Sequence, residues 1–364
     1  MASAFGLVNF HLLSSQTARS GSMPPIALAQ ASQVTDPSDF LNTNDDPAPA
    51  IPENRSVDLD LHTASQSMTA QQIYAHNERS LVSVYATTHG NETLSGTGVV
   101  LSAEGFILTN AHVTESAKRI FVYLDDGRLL RAALVGSDPF TDLAVVYVQA
   151  HDLTPALFAP TQNLQPEQTI FALSDQPDAD SCLILSGQMD SLKTLRTDSL
   201  SVPVLMSDLD GITGPVFDSQ GRIVAMQVSR ILRYFSQAST AGVSIPAETV
   251  QEVVAQLMAD GCIAGRPDLG FQVETISRLY QHYWDLPGGL LVTILDETCS
   301  ASASGLLDGD ILLALDGVVL SSRADLYATL YNAQVGDQLT AAVFRDGKKF
   351  TLTLTVQEIL PDSN

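Results

Sequence analysis

From residue 81 to 148 the hydrophobic pattern comes in short runs. Leu81-Val82-Ser83-Val84-Tyr85-Ala86 is β-rich, and Ser95-Gly96-Thr97-Gly98 leads into Val99-Val100-Leu101-Ser102. Ala103-Glu104-Gly105 reads as a turn before the strand Phe106-Ile107-Leu108-Thr109. Ile120–Leu124, Asp125-Asp126-Gly127-Arg128 and Leu129–Gly136 form a hairpin, and Leu143–Val148 is a buried strand. Turn residues recurring about every 8–12 positions mark an all-β barrel or sandwich. Thr69 is a fit N-cap for a short helix ahead of the first strand.

Farther along the period changes. After a strand beginning at Val243, the residues Val250, Val253, Val254, Leu257 and Met258 recur at helical spacing behind Pro246. Gly261 to Pro267 is a linker. Then come a strand at Gly289–Leu295, a strand-and-turn stretch ending in Asp316-Gly317, a helix at Asp325–Asn332 and a hairpin at Phe344–Phe350. Residues 1–67 read as a disordered or linker tail, because Asn42–Glu53 is Asn/Asp/Pro/Ala-rich without an apolar period. Met23–Ala31 carries a small-x-small pattern, yet no basic residue follows Met1 and the apolar runs are too broken for a convincing signal peptide.

Composition narrows the partners. The 364 residues carry 18 Lys+Arg against 41 Asp+Glu, a net charge of −23. Such a chain gains nothing from counterion release on a polyphosphate, so no nucleic acid is expected. No apolar run approaches the ~18 residues of a membrane-spanning helix. Cys182, Cys262 and Cys299 lie too far apart for a zinc cluster, so neither a metal nor any other cofactor is expected.

Ser95-Gly96-Thr97-Gly98 followed by Gly105-Phe106-Ile107-Leu108-Thr109-Asn110-Ala111-His112-Val113 resembles the catalytic-histidine segment of the HtrA/Deg trypsin-like serine proteases. Val135–Val145, with Asp138-Pro139-Phe140-Thr141-Asp142, resembles that family's catalytic-aspartate segment. Leu185–Leu192 resembles the strand opening the second barrel, and Ala241–Pro246 the strand before the helix that leaves the protease domain. The resemblance covers about residues 69–358. It implies a mostly β fold, a chymotrypsin/trypsin-like double β-barrel over 68–264 and a C-terminal PDZ domain over 265–360. His112 would be the general base and Asp142 the group that orients it.

The nucleophile loop departs from that pattern. Anchoring on Gly214-Pro215 sets Ile212 at the serine position, and isoleucine has no nucleophilic atom. Asp210 falls on an oxyanion-hole position, where a carboxylate would repel a developing oxyanion. The segment before it is also shorter than the family pattern. Thr213, one position late, is the alternative nucleophile, and Ser207 a more remote one.

Asp268-Leu269-Gly270-Phe271 resembles a PDZ carboxylate-binding loop, and Ser302–Gly317 resembles the PDZ core of bacterial HtrA proteins. Leu269, Gly270, Phe271 and, by the family's pattern, Leu326 would bind the peptide. The expected partners are peptide C-termini or unfolded proteins. The expected activity is that of a non-hydrolytic pseudoprotease. The alternatives are an endopeptidase acting through Thr213 and a purely structural subunit. The resemblance further implies a homotrimer or a mixed oligomer with active relatives, outside the cytoplasm in periplasm or cell envelope.

Overall fold

The computed structural model describes residues 47–53, 55–57, 59, 67–88, 93–115, 117–175, 182–196, 201–209, 212–228, 242–276, 278–295 and 299–359. Helix α1 (Ala70–Asn77) opens with a capping box, in which Thr69 and Gln72 satisfy each other's backbone N–H groups. Six strands follow: β1 (Leu81–Thr88), β2 (Thr93–Val100), β3 (Phe106–Thr109), β4 (Ala117–Tyr123), β5 (Leu129–Asp138) and β6 (Leu143–Val148). They close a barrel in the order β1-β2-β3-β6-β5-β4. A single turn of helix, α2 (Ala111–Thr114), leaves β3. Val82, Val84, Ile107, Val122 and Val146 fill the barrel.

A second closed barrel follows, ordered β10-β11-β12-β9-β8-β7. Its strands are β7 (Thr169–Asp175), β8 (Cys182–Arg196), β9 (Ser201–Ser207), β10 (Gly214–Phe217), β11 (Ile223–Val228) and β12 (Gly242–Pro246). The sequence reading starts this barrel at Leu185–Leu192, but the barrel opens one strand earlier. β7 is a short run without clean alternation, and periodicity alone does not single out such a strand.

Helix α3 (Ala247–Asp260) buries Val250, Val253, Val254, Leu257 and Met258, the residues at helical spacing. Gly261 ends it in the left-handed conformation, donating to the Leu257 carbonyl. Leu59, Ile51 and Val57 also pack on the core between the barrels, so parts of the N-terminal stretch join the globular body.

The C-terminal domain is built on a sheet ordered β14-β15-β16-β18-β19, with β17 on β16 and a separate β13-β20 pair. These strands are β13 (Pro267–Asp268), β14 (Phe271–Thr275), β15 (Leu290–Leu295), β16 (Ile311–Leu315), β17 (Val318–Val319), β18 (Gln338–Arg345), β19 (Lys348–Thr355) and β20 (Gln357–Glu358). Three helices accompany them: α4 (Arg278–Trp284), α5 (Ser300–Ala303) and α6 (Arg323–Leu330). Leu290, Leu312, Leu315, Leu330 and Val343 form its core. The mostly β, double-barrel-plus-PDZ architecture is the one the sequence leads to. Among the described residues, no helix is long and apolar enough to cross a membrane.

Candidate functional site

His112 and Asp142 meet although 30 residues separate them. β3 pairs with β6, which brings the ends of both strands together. The imidazole Nδ1 lies 2.9 Å from each Asp142 carboxylate oxygen. The same carboxylate accepts the His112 backbone N–H at 2.9 Å. Asp142 is 1% exposed and has φ of +55°, a strained value for a residue with a side chain. Its carbonyl accepts from Ala111 N–H at 3.0 Å and from Asn110 Nδ2 at 3.2 Å, which holds the turn in place. A carboxylate on Nδ1 leaves Nε2 as the unprotonated nitrogen in the neutral tautomer. The His112 side chain stays 19% exposed.

Asn110 and Gln227 join the two barrels behind this pair. Asn110 Nδ2 donates to the Gln227 carbonyl at 3.1 Å, and Gln227 Nε2 donates to the Leu209 carbonyl at 2.9 Å. Gly242 lets that Leu209 segment lie close, since a Cβ there would fall 1.5 Å from the Leu209 oxygen. The sequence reading missed both Asn110 and Gln227, because a buried amide looks like any other polar residue until its partner is known.

Ile212 is buried in the core of the second barrel, in one cluster with Ile170, Met189, Leu205, Leu209 and Val216. Thr213 is half-buried, and Ser207 is buried on β9 opposite Gly242. Among the described residues, neither hydroxyl hydrogen-bonds to His112. Asp210 lies outside the described residues.

In the C-terminal domain, Leu269, Phe271 and Leu326 share one apolar cluster, with Leu269 and Leu326 buried and Phe271 half-buried. Phe140 of the first barrel inserts into that cluster. Its ring meets Tyr331 edge-on at 4.7 Å, and the Arg266 guanidinium covers it at 5.3 Å. Arg266 also reaches Asp138 at 3.0 Å, and Arg323 of α6 reaches Glu115 at 3.3 Å. Burial pushes the Glu115 carboxyl above its ordinary range more than Arg323 pulls it down. Gly270 has φ of +76°, and its N–H donates to the Asp268 carboxylate at 2.8 Å. Burial likewise raises the Asp268 carboxyl.

The trypsin-like peptidase domain family matches residues 96–226, and the PDZ domain family matches residues 267–356. The chain joins a trypsin-like peptidase domain to a PDZ domain. It is 31% identical over 285 residues to a "Probable periplasmic serine endoprotease DegP-like" of Halomonas elongata, covering 76% of this chain and 59% of that one. A protein of the same name from Marinomonas is 30% identical over 277 residues, covering 74% of this chain and 58% of that one. The chain thus spans under two thirds of the length of these curated relatives. Among solved structures it is similar to the "HtrA-type protease AlgW with tripeptide", at 25% identity and a TM-score of 0.47, over 80% of this chain and 98% of that one.

Proposed function

We propose that this chain is an HtrA-like pseudoprotease, which binds peptides or unfolded protein segments through its PDZ domain and protease-like scaffold without hydrolysing them. The observation that carries the reading is Ile212. It stands at the expected nucleophile position and is buried among apolar residues of the second barrel. Without a nucleophile no acyl-enzyme forms, and the His112–Asp142 pair has no hydroxyl to activate. The PDZ domain supports peptide binding by β-augmentation, in which a segment adds a strand to an exposed sheet edge. The names of the relatives support a place outside the cytoplasm, in periplasm or cell envelope. Family resemblance favours a trimer, or a mixed oligomer with active relatives. The deciding experiment is casein digestion together with fluorophosphonate labelling of the purified chain, and the proposal expects neither.

A second reading rests on the intact His112–Asp142 geometry. An endopeptidase using Thr213 would need only the oriented base and a hydroxyl brought within about 3 Å of it. Labelling that survives in the native protein and vanishes in Thr213→Ala would establish this reading and remove the first.

A further inference from the structure

The inference rests on the peptide-binding reading above and narrows the class of segment that the groove accepts. β14 is the edge strand of its sheet, so an added strand has a backbone to extend. A free C-terminus docked there would need the N–H groups at Leu269 and Gly270 for its carboxylate. One of them is already engaged by a carboxylate of the chain itself: Gly270 N–H donates to Asp268 Oδ2 at 2.8 Å.

This occupant is held in place. Asp268 pairs through its backbone with Gln357 in the β13–β20 ladder, which fixes where its side chain starts. Gly270 holds the left-handed turn that aims its N–H back at Asp268, and a Cβ there would lie 2.3 Å from Cys299 Cβ. An incoming carboxylate would compete for the Gly270 N–H against a covalently tethered one and would suffer its repulsion at short range. The wider field adds to this, since residues 266–364 carry 6 Lys+Arg and 13 Asp+Glu.

We infer that Asp268 is the specificity-determining residue of this groove. It is a resident carboxylate on the carboxylate loop, so the groove takes internal or end-blocked apolar segments of unfolded chains and rejects free C-termini. An internal segment brings main-chain donors and acceptors to β14 and no terminal charge, so it meets no competition from Asp268.

The test uses the full chain and two fluorescein-labelled apolar peptides of one sequence, a free acid and a C-terminal amide, read by fluorescence anisotropy. The native protein should bind the amide at least as tightly as the acid. Asp268→Ala frees the Gly270 N–H, removes the resident charge and should shift the ratio tenfold or more towards the acid. Asp268→Asn keeps an acceptor in the turn but removes the charge, so its ratio should fall between the two. A native protein that prefers the acid tenfold overturns the inference. So does a ratio that both variants leave unchanged while the peptides still bind. Absence of binding by either peptide to all three proteins overturns the peptide-binding reading, and this inference with it.

Discussion

The Tyr331 hydroxyl donates to the Phe140 carbonyl at 2.6 Å, two residues before the buried Asp142. The donor belongs to the PDZ domain and the acceptor to the loop that carries the aspartate. Around this bond, Arg266 holds Asp138, and Arg323 holds Glu115, just beyond the turn of helix that bears His112. The PDZ domain thus grips both segments of the His112–Asp142 pair from behind. The grip combines apolar burial, ring contacts of Phe140 with Tyr327 and Tyr331, this hydrogen bond and the two ion pairs, so it is short-range and depends on close docking.

Tyr331→Phe removes this hydroxyl and leaves the Phe140 carbonyl without this donor. The cost should be about 1 kcal/mol, typical of a lost buried hydrogen bond. Hydrogen exchange at the amides of residues 138–142 should quicken while that of β18 and β19 stays the same. Unchanged exchange in the loop would show that the domains dock without this bond.

Glu115 should make stability sensitive to pH. Burial raises its folded-state pKa above 4.5, against the opposing pull of Arg323; Asp142 and the Tyr327 phenol face the same carboxyl, as does His112. The folded state therefore keeps a proton at pH values where the unfolded chain has lost it. This contribution is fully present below 4.5 and is lost as pH rises through the folded pKa. Denaturation at about pH 5 and pH 7.5 should show the native protein losing more stability with rising pH than Glu115→Gln does. Equal losses in the two proteins would assign the dependence elsewhere, with Asp268, raised in the same direction, the next group to test.

Ile212→Ser should destabilise without restoring turnover. Ile212 is buried in an apolar cluster, so truncation should cost about 2–5 kcal/mol, and its hydroxyl would be buried among carbons. The thermal midpoint should fall and casein should stay intact. Robust turnover by the single variant would mean that the loop can present residue 212 to His112.

The native chain should remain unlabelled by a fluorophosphonate. The His112–Asp142 pair is aligned, but alignment supplies a base and not a nucleophile. Labelling lost in His112→Ala would overturn the non-hydrolytic reading. Asp142→Asn should then disturb the imidazole tautomer, visible as a shifted His112 ring-nitrogen resonance, whether or not the protein is an enzyme.

Much of this architecture was legible in the chain itself. Short apolar runs and turn spacing mark the strands of the first barrel, and Val250, Val253, Val254, Leu257 and Met258 mark α3, because burial on one helix face enforces a period that survives in sequence. The His112 and Asp142 segments were legible only through their resemblance to a family's motifs, each of them short and contiguous in the chain. β7 escaped because a short apolar run has no distinctive period, and α4 escaped because none of its side chains is buried.

What only the tertiary structure decided are relationships between groups far apart in the chain. Ile212 at its position follows from the sequence. That its side chain belongs to the core of the second barrel depends on strands β9, β10 and β11 closing around it. The motif at Asp268-Leu269-Gly270-Phe271 is legible as a loop, but its occupancy by the Asp268 carboxylate requires backbone angles that no residue count gives. Phe140 lies in the sequence segment of the aspartate, and the fold makes it part of the PDZ core. Local periodicity encodes which face is buried. It does not encode which distant surface does the burying, because that depends on how whole domains dock.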